Sequence, residues 1–218
     1  MLLINDKTMS RDYCQRCLKP QISCICQFMT SIANSVEVII LQHPSEVKQS
    51  KATVPLLAGS LAKCHVFIGE DFEHNEVLQT MLGQYTGQVA LLYPSDVAHV
   101  ISANKPELPL QSIRCLVLLD GTWKKAYRLY QLNTFLHAIP HFALSDEYLG
   151  QYLIRKTKKS GALSTLEACC YALSMFENSN ERYQPLLEKF LAFNQFQQRF
   201  VPNSPSQNHK NKQSDGNL

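Results

Sequence analysis

Apolar residues in this chain fall into short unbroken runs, separated by stretches in which they recur every three or four positions. Runs at 36–41, 65–68, 88–92 and 114–119, with a weaker one at 142–144, are apolar on successive residues. Strands covered on both faces read this way. The stretches at 50–61, 76–82, 123–138, 165–177 and 185–200 carry the helical period, with Pro55 set to kink or shorten the first. Strands alternating with helices predict an α/β domain with a largely parallel sheet. Two regions fall outside the pattern. Up to Phe28 the chain is rich in Cys, Arg and Gln and has no period, and after Val201 it runs PNSPSQNHKNKQSDGNL, polar and without aromatics. The expected division is therefore a front segment (1–30), a main domain (31–201) and a disordered tail (202–218).

Composition narrows this reading. With 218 residues, 45% hydrophobic and 18% charged, the chain can bury one good core and not two large ones. The formal charge of +3 is too mild to mark a nucleic-acid binder by itself, so the placement of the cations must carry that argument. Asn5, Asp6 and Lys7 break the apolar start at Met1 to Ile4 before a signal core forms. No apolar run approaches a membrane span. A cytoplasmic protein is expected, with its eight cysteines as thiols or metal ligands rather than disulfides.

Cys14, Cys17, Cys24 and Cys26 fall as C-x2-C-x6-C-x-C. Four thiolates suit tetrahedral zinc, and so short a segment needs a metal to fold. A filled tetrahedron has no open position, so the ion would be structural. Four unrelated thiols, or a redox pair of Cys14 and Cys17, are the alternatives. Cys64, Cys115, Cys169 and Cys170 lie in or beside apolar segments and are expected to be small buried hydrophobes.

The run at 114–119 ends in Asp120-Gly121-Thr122-Trp123, and a helix follows. In open parallel sheets, ligands sit beyond the carboxyl ends of strands, where the next helix offers free N–H groups. Asp120 holds such a place. The structural alternative is an Asp-Gly turn with Asp120 or Thr122 capping the helix and Trp123 in the core. Further on, Ser164 and Glu167 have capping-box spacing before an apolar helix.

DGTW after an apolar strand resembles the D-x-T-W signature of the DTW-domain family, the tRNA-uridine aminocarboxypropyltransferases. The four-cysteine pattern resembles the front knot of bacterial members. Gln42-His43-Pro44-Ser45-Glu46 is similar to their first strand-end motif, and Gly69-Glu70-Asp71-Phe72, Leu91-Leu92-Tyr93-Pro94-Ser95 and Ser164-Thr165-Leu166-Glu167-Ala168 resemble further motifs, in order from Cys14 to Glu177. Ala52 and Pro55, flanking Thr53, depart from the family pattern and bear on any ligand contact there. The resemblance implies a SPOUT-like mostly parallel sheet with helices on both faces and a C-terminal trefoil knot. It implies S-adenosylmethionine as donor, transfer of its 3-amino-3-carboxypropyl group to N3 of a tRNA uridine (the variable-loop one in bacterial members), and methylthioadenosine as the product released.

Such a reaction needs the donor held in a pose that offers its longest arm, a matter of orientation. The expected donor contacts are the strand-end loops near Leu41, Leu92 and Leu119, with Gly121, Thr122, Ser164, Thr165 and Glu167. At Ser164 and Glu167, the helix start would bind the donor carboxylate while Glu167 meets its amino group, or the two residues simply cap. Asp120 is the catalytic candidate, either taking the imide proton or positioning the reactants. Carboxylates are feeble bases unless their surroundings raise their proton affinity. The RNA-facing candidates are Trp123, Lys124, Lys125 and Arg128 after the DGTW turn and Arg155, Lys156, Lys158 and Lys159 before Ser164, with Arg11, Arg16 and Lys19 around the cysteines. Together they would form a salt-sensitive track for the tRNA backbone; singly, they read as solvated cations. Trp123 and Tyr127, one turn apart, would stack on an extruded base or else pack in the core. His43 reads as a loop-fixing residue. A monomer is expected. Two other functions fit less of the motif set: a SPOUT-like RNA methyltransferase, and a non-catalytic zinc-dependent RNA-binding module.

Overall fold

The computed structural model describes residues 12–49, 52–102, 110–145, 148 and 163–200. The expected tail, the basic run Arg155 to Lys159, Arg11 and the path that decides whether the chain is knotted lie outside the described residues.

Six strands form one sheet: β1 (Glu37–Gln42), β2 (Cys64–Ile68), β3 (Val89–Leu92), β4 (His99–Ile101), β5 (Cys115–Asp120) and β6 (His141–Leu144). Their order is β2-β1-β5-β3-β6-β4, and every pair is parallel. The five longer runs correspond to the expected strands. β4 is an addition: its three residues at the sheet edge are largely exposed, so they carry no apolar run to read.

Five α-helices are described: α1 (Val54–Ala58), α2 (Glu76–Gln84), α3 (Trp123–Leu132), α4 (Thr165–Phe176) and α5 (Gln184–Gln198). Pro55 stands in the first turn of α1, and Gly59 caps its end, which trims the expected helix at 50–61 from both sides. The expected helix at 123–138 is also divided. Asn133, fully buried, takes the Phe72 N–H on its Oδ1 and donates from Nδ2 to the carbonyls of Glu70 and Leu129. It thereby ends α3, and Thr134–Ala138 continues as a 3-10 turn.

In-register pairing of β1 with β5 sorts their side chains by parity, because successive residues point to opposite faces. Val38, Ile40, Leu116 and Leu118 pack with Leu57 of α1, Leu166 and Leu173 of α4 and Phe190 of α5. Ile39, Leu41, Cys115 and Val117 pack with Leu78 of α2 and Leu129 of α3. Gln42 and Asp120, the last register pair, therefore both point to the α4 side. The cysteine segment joins that same core through Ile25, Phe28 and Ile32, with the Phe28 ring 5.8 Å from Phe193 and 5.2 Å from Phe196. Among the described residues, no helix is long and apolar enough to cross a membrane.

Candidate active site

Asp120 ends β5 with 9% of its surface exposed. Its Oδ2 accepts from Gln42 Nε2 at 2.9 Å, and its Oδ1 accepts from Thr165 Oγ1 at 2.6 Å. Its carbonyl accepts the His43 N–H at 3.0 Å. The carboxylate is thus held from two elements, the end of β1 and the start of α4. Among the described residues, no Lys, Arg or His pairs with it. A mostly buried anion satisfied by two neutral donors keeps most of its charge uncompensated.

The turn after Asp120 is tight. A Cβ on Gly121 would meet Lys125 Cβ at 2.9 Å, so glycine lets α3 begin immediately beside the strand end. Thr122 holds the N-cap position with extended backbone and makes no side-chain cap. At the start of α4 the capping box is complete: Ser164 Oγ accepts the Glu167 N–H at 3.3 Å, and Glu167 Oε2 accepts the Ser164 N–H at 2.8 Å. The capping reading of that pair is therefore observed, and the same geometry sets Thr165 against Asp120. Of the expected donor contacts, Leu41 and Leu119 lie on the α2–α3 side of the sheet and Leu92 on the other. Their side chains do not converge, so only their backbones border one edge.

The loop after β1 is pinned to α3. His43 Nδ1 accepts the Ser45 N–H, and His43 Nε2 lies 2.8 Å from Glu70 Oε1. Glu70 in turn pairs with Arg128 at 2.8 Å, and Glu46 with Lys125 at 2.6 Å. The Arg128 guanidinium, and His43 after it, hold the Glu70 carboxyl below its usual range. His43 thus fixes a loop, as expected, and Lys125 and Arg128 already have protein partners, while Lys124 is exposed. Trp123 is 63% exposed and Tyr127 is exposed one turn along, so the core alternative for these aromatics does not hold.

At the front, Cys14 Sγ and Cys26 Sγ are 3.6 Å apart, Cys17 Sγ and Cys24 Sγ are 3.7 Å apart, and all four sulfurs lie within 4.8 Å of one another. Tetrahedral zinc at its usual ~2.3 Å from sulfur sets sulfurs about 3.8 Å apart. The four cysteines fit, and the cluster can hold a metal ion. Backbone N–H groups of Cys17 and then Arg16 pull the Cys14 thiol down to about 6, while loss of solvent and the neighbouring sulfurs push Cys26 up to about 12. Without a cation, four sulfurs so close cannot all ionise. Burial, with Glu37 behind it, also raises Cys64 and Cys115 to about 12, and Cys169 and Cys170 are fully buried. Cys115, Cys169 and Cys170 are buried hydrophobes, as expected, and Cys64 is partly buried against the same core.

Sequence reasoning passed over Gln42 as a site residue. Its signal was a lone amide closing an apolar strand, and its meaning emerges only once β1 is known to lie beside β5.

Fold and site together define a parallel α/β protein with a buried carboxylate at the carboxyl edge of its central strands and a four-cysteine cluster that can hold a metal ion. The DTW domain matches residues 11–198, and the chain belongs to that family. It is 34% identical over 196 residues to tRNA-uridine aminocarboxypropyltransferase 2 of Macaca fascicularis, covering 86% of this chain and 64% of that protein. The mouse protein of the same name is 30% identical, with the same coverage, and the Drosophila melanogaster one is 32% identical over 81% of this chain and 71% of its own length. The chain thus spans a little under two thirds of the macaque and mouse relatives. No solved structure matches it.

Proposed function

We propose that the protein is a cytoplasmic, monomeric transferase that moves the 3-amino-3-carboxypropyl group of S-adenosylmethionine to N3 of a tRNA uridine, the variable-loop uridine being the expected target. The carrying observation is the Asp120 carboxylate, clamped by Gln42 and Thr165 and left without a cation among the described residues. Such a charge favours a positively charged ligand, and the donor brings a sulfonium and an ammonium. Its own carboxylate suits the N–H groups opening α4. The names of the relatives point to the same chemistry.

Each Asp120 oxygen accepts one hydrogen bond and keeps a lone pair for the ligand; in this reading Asp120 serves as an electrostatic anchor. The imide proton of uridine passes to solvent, and the freed N3 electron pair forms a bond to the methylene beside sulfur. The carbon–sulfur bond breaks, and its electron pair stays on sulfur, which leaves as the neutral thioether of methylthioadenosine. Trp123 and Tyr127 stack on the extruded base. Lys124 and the basic run Arg155, Lys156, Lys158 and Lys159 meet the tRNA backbone. Zinc, held by Cys14, Cys17, Cys24 and Cys26, supplies folding energy to the knot and no chemistry. The finer fold reading is SPOUT-like with a C-terminal trefoil knot.

The test is mass spectrometry of tRNA nucleosides after incubation with purified protein and isotope-labelled donor. A uridine gaining the aminocarboxypropyl mass, with equimolar methylthioadenosine, is expected. Adenosylhomocysteine with a methylated nucleoside would reassign the protein as a methyltransferase, and tRNA binding with no product would make it a binding module.

A further inference from the structure

We propose that Gln42 is a positioning residue: its amide, through the 2.9 Å bond to Asp120 Oδ2, sets the plane of the carboxylate against the ligand. The inference rests on the functional reading above. Gln42 is buried and ends a strand whose other residues are buried as well, and it is the register partner of Asp120. Two donors from different elements hold a carboxylate plane where one would let it swing. Thr165 reaches Oδ1 from α4 and Gln42 reaches Oδ2 from β1. A buried amide at the end of an apolar strand weakens packing relative to a leucine, and here the amide donates to the carboxylate. A charged donor in its place would neutralise Asp120; the uncharged amide orients it and leaves the negative charge for the ligand.

The experiment compares Gln42→Leu and Gln42→Glu with the full wild-type chain. Gln42→Leu leaves the charge but frees its plane. The expected result is a fall in kcat of about tenfold or more, the scale of one hydrogen bond to a charged group, with the dissociation constant for S-adenosylmethionine changed by less than about threefold. Gln42→Glu places a second carboxyl against Asp120. Two such groups share one proton, and while it is held the introduced carboxyl donates to Asp120 much as the amide does. Turnover by this variant should approach wild type at the acid end of the profile and fall about tenfold further below it as pH rises. The titratable and charged groups on the adjoining elements include His43 and Arg128 with Glu70, Lys125 with Glu46, the exposed Lys124, and Glu167 in its capping box, and all are shared with wild type, so the ratio of the two profiles isolates position 42. A purely space-filling role predicts pH-independent losses with Tm falling in step, and that result overturns the proposal while transfer by the wild type stands. Absence of transfer by the wild type overturns the functional reading, and this inference with it.

Discussion

Replacing Asp120 by Asn removes one charge and almost nothing else. The introduced amide keeps an oxygen for Thr165 and turns an NH2 group toward Gln42, whose own amide can rotate to present its oxygen, so both contacts at 2.6 and 2.9 Å survive as neutral hydrogen bonds. Each bond loses its charge-assisted share, about 1 kcal/mol. Against that, a mostly buried anion without a cation among the described residues no longer has to be desolvated. The two effects oppose, and net stability should stay within about 1 kcal/mol, a Tm shift of about 2–4 °C at this chain length. Activity has no such compensation. A unit charge meeting a cation at ionic contact, ~4 Å, is worth about 4 kcal/mol at an effective dielectric of about 20. Each ~1.4 kcal/mol is tenfold, which sets a ceiling near a thousandfold. We expect kcat/KM for the donor to fall between about a hundred and a thousandfold, measured as methylthioadenosine released by liquid chromatography, with Tm read on the same preparation. Turnover within about threefold of wild type would refute the anchor. A Tm loss beyond about 10 °C would show instead that the carboxylate holds the fold.

Trp123→Ala should leave Tm and donor affinity unchanged, since the ring is largely exposed, while KM for tRNA rises about tenfold, the scale of one base–aromatic stack. Metal analysis should find one zinc per chain, lost in Cys24→Ser, and hydrogen exchange should then speed up in the knot and in α5, where Phe28 meets Phe193 and Phe196. Glu177 loses solvent, but the N–H groups of Val36 and Ser35, both donating to its Oε1, more than offset this and lower its pKa. A depressed folded value contributes stability that is present above the unfolded value and lost as pH falls through the folded one. Glu177→Gln should therefore cost about 1–3 kcal/mol at neutral pH, with the deficit shrinking as the solution is acidified below the carboxylate range. A deficit constant with pH would show that the charge plays no part.

The strands, the main helices and the strand-end position of Asp120 could be read from the chain because buried parallel strands and capped helices leave local signatures. β4 left none, being short and mostly exposed. The division of the helix after Trp123 depends on Asn133 reaching Phe72 and Glu70, contacts more than sixty residues distant. Trp123 lies on the surface because α3 turns Ala126 and Leu129 inward, a choice settled by where the helix docks. Lys125 and Arg128 read as free cations, and their pairing with Glu46 and Glu70 arises from folding alone. Strand order was the missing quantity for Gln42, since its meaning depends on β5 entering the sheet between β1 and β3.

α4 is fastened at both ends to opposite edges of the sheet. Thr165 holds Asp120 at the carboxyl edge, and Glu177, just past the last turn, accepts from the Ser35 and Val36 N–H groups that lead into β1 and pairs with Arg182. The twelve-residue helix, about 18 Å long, is a tie-rod across the layer and cannot slide along its axis without breaking one fastening. The scaffold on this face is therefore stiff along the rod, and the helix start beside Asp120 is held at a fixed distance from the loop that leads into β1.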